Sequence, residues 1–329
     1  MYRSTIYHSN LSDQSAQSIY GLKQASRAWN KKLDRLLKKF ELKQSDFDPC
    51  VYYSVNSGKI LIVAVYVDDL IILSNDQKQK RNLKENLMKH LKMKDLGEIH
   101  HCLGIRVQRD CVKGTISLDQ QKYIEQILER FNMSDCNGVA TPLDVNQDLF
   151  SDELLPNTDA ERNAMRKILY QEAIGCVMYL AQSTRPDIAH AVGMMSRFNS
   201  NYGQVHWSAV KRILRYLSQT RSLKLTYSKT DDELVGFSDS DWGGDKTDMK
   251  STTRYTFILS GAAVSWNSKK QPTVAKSTTE AEYMALSMAA SEVIWLKGIH
   301  QELVPCTQNT VKIFCDNKGA IDLARNPGY

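Results

Sequence analysis

The stretch ILIVAVYVDDLIILS, Ile60 to Ser74, sets two adjacent carboxylates, Asp68 and Asp69, in the middle of the one long apolar run of the chain. Strand alternation alone does not account for it. Side chains on a strand point alternately to opposite faces, and here nearly every position on both faces is apolar. The flanks therefore read as strands buried on both sides, and a turn at 67–70 pairs them as an antiparallel hairpin with the aspartates at its tip. A solvated polar turn is one explanation. Hairpin tips favour Asn-Gly or Asp-Gly, however, and an Asp-Asp pair adds like-charge repulsion with no local benefit. A divalent cation at the tip would remove that repulsion.

The 329 residues leave room for about two or three domains of roughly 100–200 residues. With 42% hydrophobic residues the chain can build real cores. Its 43 Lys and Arg against 37 Asp and Glu give a formal net charge of +6, compatible with a polyanionic partner without demanding one. Seven cysteines form no CxxC pair and no regular spacing, which argues against a zinc site or a disulfide framework and for a reducing compartment. The opening MYRSTIYHSN has no apolar signal region, and the apolar run is broken by Asp68 and Asp69 well short of the ~20 residues of a membrane span, so a soluble protein is expected.

Along the chain, QASRAWNKKLDRLLKKF carries Ala25, Trp29, Leu33, Leu36, Leu37 and Phe40 at helical spacing, with Lys31, Lys32, Arg35, Lys38 and Lys39 around the rest. After the hairpin, Leu83, Leu87, Met88 and Leu91 make a second apolar stripe on a strongly charged helix. Strands CLGIRVQ and GTISL follow, and Asp119 reads as the N-cap of a helix through QQKYIEQILERF. Thr141 to Asn163 reads as a linker or extended excursion, and YQEAIGCVMYLAQST and HWSAVKRILRYLSQT as helices. From about Leu223 the pattern changes to strands LVGFSDSD, STTRYTFILSG and AAVSWNS, a long helix from about Thr278, strand VKIFCD and helix NKGAIDLARN. That order is the reading of a small α/β or α+β domain.

This last region repeats the opening puzzle. Asp239 and Asp316 each stand where an apolar strand ends, a position suited to metal binding, although a turn or a helix cap would equally use an aspartate there. Asp241 reads as a loop residue or a further candidate. The helix beginning STTEAEYMAL adds Glu280 and Glu282. Ser277 and Glu280 form an S-x-x-E capping box, which explains Glu280 structurally and leaves Glu282 as the favoured metal-facing carboxylate. Acids converging from separate elements suit two-metal phosphoryl chemistry, in which shared carboxylates hold ions ~3.5–4 Å apart.

Taken in order, YGLKQASRAW, DPCVY, YVDDLIIL, MKDLGE, LGIRV, STRPDIAHAV, RYL, SDSDWGGD, KSTT, SWNSKKQPTVAKSTTEAEYMAL and FCDNKGAI resemble the reverse transcriptase and ribonuclease H portion of the Pol polyprotein of Ty1/copia-type LTR retrotransposons. The resemblance covers nearly the whole chain from about Tyr20. It implies an α+β fold with a non-matching leader at 1–19, a partial reverse transcriptase palm at 20–119, a helical thumb and connection at 120–229, and a ribonuclease H-like α/β domain at 230–329. It makes YVDD the palm motif, with Asp68 and Asp69 binding catalytic Mg²⁺ or Mn²⁺, and Gln24 the glutamine near the incoming nucleotide. Asp239, Glu282 and Asp316 become the ribonuclease H carboxylates, with MKDLGE and LGIRV in the later palm and primer grip. The implied partners are an RNA template, RNA–DNA hybrid or DNA, with no membrane, in a cytoplasmic retroelement particle or the nucleus.

The family's palm takes another aspartate from a strand before YGLKQ, and its ribonuclease H site a last carboxylate after DNKGAIDLARNP. Neither is recognised here, and the nearest early acid, Asp13, sits in a polar stretch. Truncation at both ends is therefore expected, with both activities impaired and no RNA-directed DNA synthesis by this chain alone. The alternatives are a catalytically inactive remnant that binds nucleic acid at most, and a ribonuclease H-like nuclease with a vestigial N-terminal part.

Overall fold

Two apolar helical stripes and an apolar hairpin have one economical way to leave water, which is to stack the helices on the sheet. The computed structural model describes residues 3–9, 23–144, 146–230, 233–304 and 310–326, with 3–9, 23–25 and 152 in backbone only. The stretch around Asp13 and the side chain of Gln24 lie outside the described residues; the Gln24 backbone stands in the first turn of a helix. Contacts divide the chain into two units, 1–102 with 292–309, and 103–291 with 310–329.

In the first unit, β1 (Arg3–Ser9), β2 (Lys43–Gln44), β3 (Val51–Asn56), β4 (Lys59–Tyr66), β5 (Asp69–Ser74) and β6 (Met93–Glu98) form one sheet in the order β2-β3-β4-β5-β1-β6, antiparallel throughout. Helices α1 (Lys23–Lys39) and α2 (Gln77–His90) supply Leu33, Leu37, Leu83 and Leu87 to a core shared with Tyr52, Leu61, Val63, Leu70 and Ile72. Tyr52 is tied to α1 as well, its hydroxyl donating to Asp34 Oδ1 at 3.0 Å. Met88, expected in the α2 stripe, is exposed. The strands of the hairpin are not buried on both faces: Leu61, Val63, Leu70 and Ile72 are buried, whereas Ile62, Ala64, Ile71 and Leu73 are half-buried. An antiparallel sheet with its helices on one face leaves the other partly open, so the continuous apolar run over-states burial. A short strand β7 (His101–Cys102) closes this stretch.

In the second unit, β8 (Ile105–Asp110), β9 (Thr115–Asp119) and β10 (Leu225–Ser228) pair antiparallel in the order β10-β9-β8. The N-cap position of the helix after β9, α3 (Gln121–Arg130), is Gln120, whose side chain makes no capping bond, and not the expected Asp119. Asp119 is buried, pairs with Arg106 Nε at 3.0 Å and accepts the amide of Gln121 at 3.1 Å, so the ion pair holds it one residue short of the cap. Helix α4 (Asp159–Met165) starts on a capping box of Thr158 and Glu161. The main helical core joins α3 to α5 (Tyr170–Ser183), α6 (Ala189–Ser196) and α7 (Gln204–Gln219) through Ile124, Ile127, Val177, Leu180, Val192, Val210, Ile213 and Leu214.

One charge lies within this helical region. Arg185, 2% exposed, donates to Asp187 (2.9 and 2.7 Å), to the Thr220 carbonyl at the C-cap of α7 (3.2 Å) and to Thr220 Oγ1 (2.6 Å). The Tyr216 hydroxyl completes the group on Asp187 at 2.8 Å.

The remaining strands, β11 (Val235–Ser240), β12 (Thr252–Leu259), β13 (Ala262–Lys270) and β14 (Lys312–Phe314), form a sheet in the order β13-β12-β11-β14. β14 runs parallel to β11, and the chain crosses over through α8 (Thr278–Leu303), as parallel neighbours require; α9 (Lys318–Arg325) follows. Ala281, Ala285 and Ala289 make a fully buried stripe on α8, anchored where Gln271 donates to both Thr253 Oγ1 and the Ala281 carbonyl. Among the described residues no helix is long and apolar enough to cross a membrane.

Candidate functional site

In the first unit the turn between β4 and β5 is two residues, Val67 and Asp68, with Tyr66 paired to Asp69. Asp69 therefore opens β5, and only Asp68 lies in the loop. Val67 takes φ 53°, a left-handed conformation that a β-branched residue adopts only under strain, and its side chain is exposed. A positive φ at the first loop residue alone is the type II′ hairpin arrangement, normally given to glycine. The turn is held from α1, where Trp29 Nε1 donates to the Val67 carbonyl at 2.8 Å. Asp68 and Asp69 are both half-buried, and the charge of Asp69 reaches Cys102, whose thiol is pushed up by burial and then by that charge. The backbone neighbour of β5 on its far side is β1, with His8 opposite Asp69; its sequence RSTIYHS contains no acid.

In the second unit, Asp239 lies on β11, and Asp316 follows β14, the strand parallel and adjacent to it. Glu282 comes from the second turn of α8. Glu282 is 6% exposed, its Oε1 accepts the Ser240 amide at 3.0 Å, and Cys315 Sγ stands 3.8 Å from Oε2. Ligand atoms of Glu282, Cys315 and Asp316 lie within 4.8 Å of one another. Asp239 and Asp316 are exposed at the rim, and Asp239 is paired with Arg254. Glu280 belongs elsewhere: its amide binds Ser277 Oγ at 3.1 Å and its carboxylate takes the Lys276 amide at 2.6 Å, one residue before the cap.

Burial raises the Glu282 carboxyl above its ordinary range, the charges of Asp239 and Asp316 raise it further, and the Ser240 amide only partly offsets this. Glu282 and Asp316 offer the oxygen donors that a hard divalent cation such as Mg²⁺ or Mn²⁺ takes, Cys315 adds a thiol to that group, and Asp239 is not part of it but reaches Glu282 by its charge. Sequence reasoning missed Trp29, Ser240, Cys315 and Arg254 as contributors, because each acts through a pairing made only by the fold.

The loop from β11 to β12 is held by a buried acid. Asp245, 2% exposed, is bonded by Arg197 Nη1 at 2.8 Å, by Lys270 and by Thr247. Burial alone would raise its carboxyl, but the Lys270 and Thr247 bonds outweigh that and hold it at about 2, below the unfolded 3.8. A depressed carboxylate stabilises fully above its unfolded value and loses that stabilisation as pH falls through the folded one. Between pH 5 and pH 2 the wild type is expected to lose on the order of 2 kcal/mol more than Asp245→Asn. Parallel falls of the two melting temperatures over that range would contradict this.

The family described as "Reverse transcriptase (RNA-dependent DNA polymerase)" matches residues 7–145. The chain is 44% identical, over 95% of its length, to the retrovirus-related Pol polyprotein from transposon TNT 1-94 of Nicotiana tabacum, of which it covers 24%. It is 36% identical, again over 95% of its length, to that from transposon RE1 of Arabidopsis thaliana, of which it covers 21%. A putative transposon Ty5-1 protein of Saccharomyces cerevisiae is 32% identical over 84% of the chain, which covers 87% of that protein. The chain thus spans between a fifth and a quarter of the two plant polyproteins.

Proposed function

Because the chain belongs to the reverse transcriptase family, in the Pol region of Ty1/copia-type transposons, we propose that it acts on RNA templates and RNA–DNA hybrids through two divalent-metal sites. One is the Asp68–Asp69 hairpin of a polymerase palm, and the other is the Asp239, Glu282 and Asp316 cluster of a ribonuclease H-like domain. Bound ions would activate the attacking oxygen and steady the leaving one; the chain's part is to hold carboxylates from three elements around one point. The observation that carries this reading is the buried Glu282, reached by the charges of Asp239 and Asp316. Cleavage of an RNA–DNA hybrid in Mn²⁺ tests it, with loss of cleavage in Asp239→Asn as the expected result. Cleavage that survives Asp239→Asn would reject the assignment.

For the polymerase a second reading, nucleic-acid binding without synthesis, is favoured by a specific observation. Nucleotide transfer needs carboxylates from two palm strands, and β1, beside β5, carries none. The expected result of primer extension on an RNA template is no product from this chain alone. Extension abolished by Asp68→Asn would show a second acid supplied from another part of the chain.

Binding itself should be electrostatic. Arg27, Lys31, Lys32 and Arg35 are exposed along α1, a basic face suited to phosphates. Other basic residues are engaged internally: Lys80 is buried, Lys84 pairs with Asp95, Arg212 binds Thr141, and Arg215 binds the Asn137 carbonyl. Changing both Lys31 and Lys32 to Gln is expected to reduce the slope of log K against log salt by about 2, since each phosphate contact contributes about 0.9. An unchanged slope would move the contact surface off α1.

A further inference from the structure

We propose that Arg254 is a built-in counter-cation of the second carboxylate cluster and sets how tightly that cluster holds a divalent ion. The inference rests on reading Asp239, Glu282 and Asp316 as metal ligands. Arg254 stands on β12 directly opposite Asp239 in the antiparallel register. Its guanidinium spans two acids, with Nη1 3.2 Å from Asp239 Oδ2 and Nη2 3.4 Å from Asp241 Oδ2. Its Nε is buried and has no hydrogen-bond partner among the described residues, so these two carboxylates are the ties that hold the fork. Burial and then the Arg254 charge push the His190 ring down, and the Asp241 charge acts against them.

The bond to Oδ2 leaves Asp239 with lone pairs for an ion, so the guanidinium does not block the carboxylate. It does bring a positive charge beside the place where the ion must sit. The pairs are partly exposed, with Asp239 at 54% and Arg254 at 38%, and such pairs are individually weak and exchangeable. Arg254 therefore yields to the ion but lowers its affinity. A +2 ion about 6 Å from a guanidinium is repelled by enough to weaken binding roughly ten-fold even at the dielectric of water.

The test is Mn²⁺ binding, followed by the electron paramagnetic resonance signal of the free ion. The full chain carries Asp68→Asn and Asp69→Asn, so that only the second cluster contributes. Arg254→Gln is expected to bind Mn²⁺ roughly ten-fold more tightly, about 1.4 kcal/mol, and Arg254→Lys, which keeps the charge, as weakly as the parent. Arg254→Ser replaces the Gln variant should that one alter the melting midpoint. Equal affinities for the parent and the neutral variants, with Asp239→Asn still weakening binding, would overturn the role of Arg254 and leave the metal site standing. Absence of Mn²⁺ binding in every variant would overturn both.

Discussion

Replacing Arg185 by methionine is expected to destabilise the protein by about 3 kcal/mol, the low end for breaking a buried ion pair, because the Asp187 left behind is 29% exposed. The guanidinium is almost fully buried and its bonds go to Asp187 and to both the carbonyl and the hydroxyl of Thr220. Methionine replaces the packing of the stem but leaves the Asp187 carboxylate with only Tyr216 of those partners, and leaves the Thr220 carbonyl with the Leu223 amide alone. Thr220→Val, which removes a hydroxyl that accepts from Arg185 and donates to the Tyr216 carbonyl, should cost less, about 1–2 kcal/mol. Urea unfolding monitored by circular dichroism reads both, and an Arg185→Met loss no greater than that of Thr220→Val would show that the buried charge is not what anchors this end of α7.

The second large effect concerns the two glutamates at the start of α8. Glu282→Ala should abolish Mn²⁺ binding at the second cluster, because it removes the one buried carboxylate of the proposed set, which the charges of Asp239 and Asp316 reach. Glu280→Ala should leave binding unchanged and destabilise the helix start by roughly 1 kcal/mol, the usual worth of a cap. The two residues are two positions apart on one helix, so a general disturbance of α8 would affect both alike. Loss of Mn²⁺ binding in the Glu280 variant with retention in the Glu282 variant would reverse the assignment.

Helices were legible wherever the apolar stripe served a local packing need. α1, α2, α5, α7 and α8 follow periodicity, and Met88 marks where the stripe runs past the core edge. Two of the strands that escaped notice lack a signal of their own. β6, MKDLGE, has an almost wholly exposed pattern and is a strand through its pairing with β1; β10 is four half-buried residues held by β9, more than a hundred positions earlier in the chain. The acids Asp68, Asp69, Asp239, Glu282 and Asp316 could be picked out because carboxylates next to apolar runs need an explanation. Arg254 could not, since the residue facing Asp239 depends on a register set across the long loop that Asp245 ties down.

Helix α8 is one continuous element, yet residues 278–291 count with one compact unit and 292–303 with the other. The later part is no passive tail. Glu302 accepts from Ser45 Oγ at 2.5 Å and from the Asp46 amide at 3.0 Å, and Trp295 Nε1 donates to the Phe47 carbonyl at 2.9 Å. An expression fragment ending at residue 102 would therefore leave the 45–47 corner stripped of its partners, and one starting at 103 would carry those partners with nothing to grip. Dissecting this protein by simple truncation would report on damaged halves, so separating its activities calls for point substitutions in the intact chain.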